Sequence, residues 1–183
     1  YTYFDKLYLI NKDGSGLTLV YQTPDGSLIS ECDWSVDESM IALKTNDVNG
    51  YNVSIYTIDM SGTVLVTVLS GVTGAAGGIN FSVDNNLLLY SYDVSGFESP
   101  DYRQLDTHMF IYNFTTALAT DLSTDKPAGF LDTDPRFSPN EAEVIFMYTS
   151  NDGISEKMVM KVNLASSNSR ALLFNNAKMP DWE

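Results

Sequence analysis

Few residues of this chain offer the chemistry that enzymes use. Nucleophilic catalysis of the Ser-His-Asp kind needs a histidine base near a serine, and the chain has one histidine, His108, and no Gly-x-Ser-x-Gly motif. A glycosidase needs two carboxylates that face each other across a cleft. The 24 Asp and Glu residues supply carboxylates, but their spacing gives no way to pair them. We therefore expect a protein that is not an enzyme.

Two carboxylates, Asp132 and Asp134, stand close together in the sequence. Calcium accepts carboxylate and carbonyl oxygens in a flexible geometry, so this pair is a weak candidate for a calcium site. A structural role, in which the carboxylates bond loop amides, is the preferred interpretation. Zinc is excluded because no cluster of His and Cys could hold it. We expect no cofactor, with calcium as the alternative.

The charge of the chain excludes some partners. Its formal net charge is −14, with 24 acidic and 10 basic residues, whereas binding to nucleic acid or to an anionic membrane requires clustered Lys and Arg. No apolar run approaches the roughly 20 residues of a membrane span, so we expect no membrane insertion. A cationic protein partner would suit this surface.

The single cysteine, Cys32, excludes an internal disulfide and is predicted to be a buried thiol.

A short motif, in which an aromatic residue is followed by serine and a predicted turn, recurs along the chain. It begins at Trp34, Phe81 and Phe137, and a truncated copy contains Trp182; the aromatic residues are 47, 56 and 45 residues apart. Periods of this size, filled with short strands, are typical of propeller blades. We expect these aromatic side chains to pack between blades.

Each period contains short runs of alternating apolar and polar residues, separated by Gly, Asn, Asp and Ser, which predict antiparallel strands joined by hairpins. The sequence therefore predicts one all-β domain over residues 1–183, a β-propeller of four-stranded antiparallel blades. The blade pieces are 1–21, 30–69, 77–121, 134–175 and 178–183. Three blades are complete, and the two chain ends would assemble a fourth. The alternative is a segment of a larger propeller.

The segment from Asp93 to Thr107 is the most suggestive candidate site. It joins the second and third strands of one blade and accounts for most of that blade's extra length. Long loops on a rigid scaffold are where binding residues concentrate. The candidate binding residues are Phe97, Asp101, Tyr102, Arg103 and His108. The alternative is that Phe97 and Tyr102 only pin the loop to its own blade.

The chain resembles the repeat of the TolB-type propellers, bacterial relatives of the WD-repeat proteins. The resemblance rests on Leu7 to Gly16, with its Asn-Lys-Asp-Gly-Ser-Gly hairpin, and on Asp33 to Asp37 and Arg136 to Asn140, which are similar to that family's aromatic-Ser-Pro-Asp-Gly turn. Only the copy with Pro139 keeps the proline. The resemblance implies a non-catalytic interaction platform, found in the bacterial periplasm, at the outer membrane or in larger secreted proteins.

These observations predict a protein–protein interaction platform that binds through the loop face carrying residues 93–107. The expected partner is a protein, for which a cationic surface is favoured. The expected location is periplasmic or extracellular, with association at the outer membrane as one form of it. One alternative is a module that binds a carbohydrate or another small ligand. A second alternative is an accessory propeller domain of a larger secreted enzyme.

Overall fold

A computed structural model of the chain describes residues 1–97, 99–101, 103–166 and 169–181, and the regular structure in these residues consists of β-strands alone. The strands are β1 (Thr2–Tyr3), β2 (Lys6–Leu9), β3 (Thr18–Gln22), β4 (Leu28–Trp34), β5 (Met40–Asn46), β6 (Val53–Asp59), β7 (Val64–Val72), β8 (Ala76–Phe81), β9 (Leu87–Asp93), β10 (Thr107–Asn113), β11 (Leu118–Asp121), β12 (Phe130–Phe137), β13 (Glu143–Ser150), β14 (Met158–Asn163) and β15 (Ser169–Phe174). In the part of the chain that is described, no helix has the length and hydropathy of a membrane span.

The strands form four antiparallel sheets in which sequence neighbours are also spatial neighbours. The first sheet has the order β1-β2-β3, and the other three have four strands each, in the orders β4-β5-β6-β7, β8-β9-β10-β11 and β12-β13-β14-β15. Antiparallel strands can be joined by short hairpins, which explains the turn residues that punctuate the sequence. The predicted all-β architecture with three complete four-stranded blades is confirmed.

The recurring serine builds the hairpin between the first two strands of each complete sheet. Its hydroxyl accepts a hydrogen bond from the backbone N–H five positions later, at 2.9–3.0 Å, and donates one to the Asp or Asn two positions later, at 2.7–2.8 Å. The three serines are Ser35, Ser82 and Ser138. Because the hydroxyl closes the turn from inside, it is buried in all three copies. The repeated motif is thus a turn with its own local hydrogen bonds.

The chain divides into two compact units, Tyr1–Thr73 and Gly74–Glu183. The first unit contains β1–β7, and its core is aliphatic. Leu7, Ile29, Ile41, Leu43 and Ile58 form one buried cluster that joins the two sheets of this unit. The N–H of Ile29 also donates to the carbonyl of Phe4 at 2.7 Å, which links the start of β4 to the residue after β1.

The second unit contains β8–β15, and its core lies where β12 packs against β8, β9 and β10. The buried cluster includes Phe137, Phe146 and Met109 together with aliphatic residues from both sheets. The side-chain oxygen of Asn80 accepts a hydrogen bond from the N–H of Phe137 at 2.9 Å. Gly78 brings the backbones close, since a Cβ there would lie 2.4 Å from Cδ of Pro135. These contacts make β8 and β12 a single packed seam.

Two expectations about packing are wrong. Phe81 and Phe137 are buried, as expected, but Trp34 is 44% exposed because aliphatic residues fill the core of the first unit. Cys32 is exposed and not buried, although its cross-strand partner on β5 is the buried Leu43. Its thiol is still partly desolvated, which raises the pKa of Cys32 above its ordinary value.

The C-terminal blade piece was predicted to supply an innermost strand. Residues 178–181 form no strand, and Trp182, with its expected packing role, lies outside the described residues together with the last residue. The assembly of a fourth blade from both chain ends stays a prediction, as does the single-domain interpretation of residues 1–183.

Candidate binding site

The long loop between β9 and β10 is fastened at its base by one buried carboxylate. Asp93 is 1% exposed, and its two oxygens accept hydrogen bonds from the N–H groups of Ser95, Leu105 and Asp106 at 2.7–3.1 Å. The N–H of Val94 donates to the carbonyl of Asp106 at 3.0 Å. A buried carboxylate that accepts several backbone hydrogen bonds ties these residues together through charge-assisted bonds. The two ends of the loop are therefore held to each other at its base.

A second set of contacts fastens the loop to its surroundings. The Nδ2 of Asn151, at the start of the β13–β14 loop, donates to the carbonyl of Leu105 at 2.9 Å. The Nζ of Lys126 donates to Asp106 and to the carbonyl of Phe130, each at 2.7 Å, and its side chain is 2% exposed. Partial burial acts to raise the pKa of Asp106, but the hydrogen bond and charge of Lys126 hold that pKa below its ordinary value.

Two of the predicted binding residues meet the neighbouring loop. The side chain of Arg103 lies over Gly153 of the β13–β14 loop, with its Cδ atom 3.3 Å from the place where a Cβ would stand. Its Nε donates to Asp101 at 2.6 Å in an exposed ion pair. The hydroxyl of Ser99 also donates to Asp101, and this bond, followed by Arg103, lowers the pKa of Asp101. The described residues of the β9–β10 loop and the loop at 151–157 are thus in contact.

We call the surface of these two loops the rim, defined by residues 94–97, 99–101 and 103–106 of the β9–β10 loop and by residues 151–157 of the β13–β14 loop. Its most exposed apolar side chains are Phe97, at 56%, and Ile154, at 90%. Phe97 was predicted from the sequence, whereas Ile154 was missed. Tyr102, another predicted binding residue, lies outside the described residues, as does Glu98.

His108 occupies a different environment from the exposed rim residues. Its Nδ1 lies 2.8 Å from Asp121, its Nε2 lies 3.3 Å from Asp106, and 19% of its side chain is exposed. The ring also stacks on Phe110, with centroids 6.4 Å apart. These contacts give the histidine a structural role between two carboxylates, and its role in binding stays a prediction.

The two calcium candidates both have cationic partners within the protein. Asp132 is fully buried, and the guanidinium of Arg170 donates to both of its oxygens, at 2.9 and 2.6 Å. The hydroxyl of Ser123 adds a third hydrogen bond at 2.6 Å. Asp134 pairs with Arg136 at 2.9 Å. Among the described residues, no three His, Cys, Asp or Glu side chains form a group that could hold a metal ion.

A cavity of about 420 Å³ opens beside the rim, between the third and fourth sheets of the chain. Residues of β8 and β12 form its floor, and residues of the two rim loops form its walls. The lining residues include Gly78, Arg103, Gln104, Thr133, Asp134 and Lys157. Sequence reasoning found Arg103 and named Asp134 only as a metal candidate. Nothing in the sequence singled out Thr133 or Lys157.

No family model and no curated protein matches the chain. Solved structures do match. TolB from Acinetobacter baumannii is 20% identical, with a TM-score of 0.64 over 92% of this chain and 37% of its own. A chain of the nidogen/laminin complex is 11% identical, with a TM-score of 0.67 over 99% of this chain and 63% of its own. A luciferin-regenerating enzyme is 12% identical, with a TM-score of 0.60 and coverage of 98% and 58%.

The chain has a β-propeller fold. The matched proteins have varied functions, and identities of 11–20% show the fold alone. The chain also spans less than two thirds of the length of each of these three structures. The resemblance to TolB-type propellers is therefore confirmed at the level of the fold, and the particular repeat family stays a prediction.

Proposed function

We propose that this propeller is a non-catalytic platform that binds a protein partner through the rim of its second unit. The observation that supports the proposal is that two exposed apolar side chains, Phe97 and Ile154, stand on loops that contact each other through Asn151 and Arg103. Large apolar side chains and arginine dominate the energy of protein interfaces, and Arg103 lies between the two loops.

The fastening of the β9–β10 loop supports the proposal, because a preordered surface loses little conformational entropy when it binds. Asp93, Asn151 and Lys126 all fasten the β9–β10 loop before any partner arrives. The net charge of −14 favours a cationic partner, whose approach would be accelerated by the field of the chain. We propose a periplasmic or extracellular location, which the resemblance to TolB-type propellers supports.

The test begins with capture of a partner on the immobilised chain, followed by titration calorimetry with the purified partner. The double variant Phe97→Ser/Ile154→Ser should weaken binding at least about tenfold, which corresponds to about 1.4 kcal/mol. The matched control is Leu118→Ser, since Leu118 is 67% exposed and lies on β11, at the opposite end of β10 from the rim.

Unchanged thermal midpoints would show that both variants remain folded. Equal affinities of the double variant and the Leu118 control for the partner would refute the rim as the contact surface. A second candidate function, a module that binds a small ligand, is favoured by the cavity beside the rim. The other alternative, an accessory domain of a larger secreted enzyme, is favoured by no feature of the described residues.

A further inference from the structure

The cavity beside the rim differs in charge from the chain as a whole. The chain has only 10 basic residues against 24 acidic ones, yet Arg103 and Lys157 both line this cavity. Arg103 uses its Nε for Asp101, which leaves the N–H groups of both terminal nitrogens for a ligand. Lys157 is exposed and forms no ion pair with any described residue. Two cationic groups on the loop side of the cavity favour an anion.

The strand side of the cavity has a polar group without a partner. Thr133 on β12 is 6% exposed, and its Oγ1 forms no hydrogen bond with any described residue. A buried hydroxyl without a partner is unfavourable, and native structures contain few of them. The Oγ1 atom is buried, so a ligand in the cavity would supply the missing partner once a χ1 rotation of Thr133 moves the hydroxyl into the position of the methyl group.

The backbone beside Thr133 is irregular where it borders the cavity. Asp134 has a φ of +52°, a left-handed conformation that is rare for a residue with a side chain. The register of β12 against β13 shifts between Thr133 and Arg136. Bulges of this kind re-aim side chains and are common beside binding sites. Asp134 lines the cavity while it is paired with Arg136, so its oxygens remain acceptors for a ligand hydroxyl.

We infer that this cavity binds a small hydroxylated carboxylate of the sugar-acid class. The carboxylate lies against Arg103 and Lys157, and the hydroxyl groups lie against Thr133, Asp134 and the amide of Gln104. The volume of the cavity, about 420 Å³, falls within the range of about 300–1,000 Å³ that is usual for ligand pockets. Because the described lining residues include no aromatic ring, recognition proceeds through hydrogen bonds and charge and not through stacking.

The same carboxylate chemistry is present on acidic side chains of peptides. We assign the free sugar acid because Thr133 and Asp134, on the floor of the cavity, can form hydrogen bonds with ligand hydroxyl groups. An aspartyl or glutamyl side chain has no hydroxyl group and would leave these two residues unused. The inference does not rest on the proposed protein-binding function, since neither Phe97 nor Ile154 lines the cavity.

The experiment is a titration of the full chain with sodium D-glucuronate, followed by calorimetry or by NMR shifts. D-glucose is the uncharged control, and an N-acetyl-glutamyl amide is the peptide control. Lys157→Met and Thr133→Val should each weaken glucuronate binding by about tenfold, since hydrogen bonds to a charged ligand are the stronger kind. Lys12→Met and Thr57→Val are the matched controls, because Lys12 is exposed, the hydroxyl of Thr57 likewise has no partner among the described residues, and neither residue lines the cavity.

The expected result is saturable binding of glucuronate, much weaker binding of glucose and of the glutamyl amide, and losses in the two cavity variants only. Absence of glucuronate binding by the folded wild-type chain would overturn the inference. Equal affinity in the cavity variants and their controls would place the ligand elsewhere and would overturn it too. Preferential binding of the glutamyl amide would overturn the assignment to a sugar acid. None of these outcomes bears on Phe97 and Ile154.

Discussion

The buried ion pair between Arg170 and Asp132 allows a quantitative test of the fold of the second unit. Replacement of Arg170 by Met keeps much of the side-chain stem but leaves the carboxylate of Asp132, which is 0% exposed, with Ser123 as its remaining side-chain donor among the described residues. Loss of one partner of a buried pair costs about 3–5 kcal/mol. The guanidinium also lies 5.2 Å from the ring centroid of Phe146, a contact that the variant loses.

Urea unfolding followed by circular dichroism measures this cost. With a slope of about 2 kcal/mol per molar urea, a loss of about 3–5 kcal/mol moves the midpoint by about 1.5–2.5 M. Burial of Arg170 alone would lower its pKa, but the hydrogen bond and charge of Asp132 raise the pKa of Arg170 above its ordinary value, so the guanidinium stays charged. Because the pair is buried, the loss of stability in Arg170→Met should change little with added salt.

The matched control is Asp125→Asn, which removes the second, more exposed partner of Arg170 at 2.9 Å and should cost within about 1 kcal/mol. The double variant Arg170→Met/Asp132→Asn should cost less than the sum of its single variants, because it removes the unpaired charge. A loss under about 1 kcal/mol for Arg170→Met, or strict additivity in the double variant, would refute the reasoning.

Two further predictions concern single side chains. The variants Thr57→Val and Thr133→Val should each raise the free energy of unfolding by about 1 kcal/mol, because each removes a buried hydroxyl that has no partner among the described residues; lower urea midpoints would contradict this. The pKa of Asp152 is lowered to about 2, first by the hydroxyl of Ser155 and then by loop N–H groups. Since the folded pKa lies below the ordinary value of 3.8, the ionised carboxylate stabilises the loop above about pH 4. That stability is lost as the pH falls toward 2, so the protection of the Ile154 and Ser155 amides against exchange, relative to the intrinsic rate at each pH, should fall over this range in the wild type but not in Asp152→Asn.

The fold was predictable because its turns are encoded locally. Each Ser-x-Asp or Ser-x-Asn copy closes its hairpin with two hydrogen bonds of its own, so the repeat was readable without any tertiary contact. The burial of the aromatic residue before each serine was not equally predictable. Phe81 and Phe137 are buried and Trp34 is not, because burial depends on what the neighbouring strands supply, and this differs between the two units.

The site was predictable only in part. The excess length of the segment at 93–107 pointed to the loop, and Phe97 is exposed there. The cavity depends on side chains from β12 and from the β13–β14 loop, which lie about thirty to fifty residues farther along the chain and have no shared motif. Thr133 and Lys157 look ordinary in the sequence. Thr133 matters because its hydroxyl has no hydrogen-bond partner among the described residues, and Lys157 because it forms no ion pair with any of them. Such absences can be recognised only after folding.

The manner in which the β9–β10 loop is fastened has a consequence for the variability of this protein. Its anchors are Asp93 at one end and the backbone of Leu105 and Asp106 at the other, so the side chains of residues 96, 97 and 99–101 contribute nothing to these bonds. Substitutions or insertions in that stretch would alter what the surface recognises while they leave the hydrogen-bonded frame intact. The loop is thus a natural place for specificity to diverge between homologues, and a suitable position at which to graft a foreign recognition peptide.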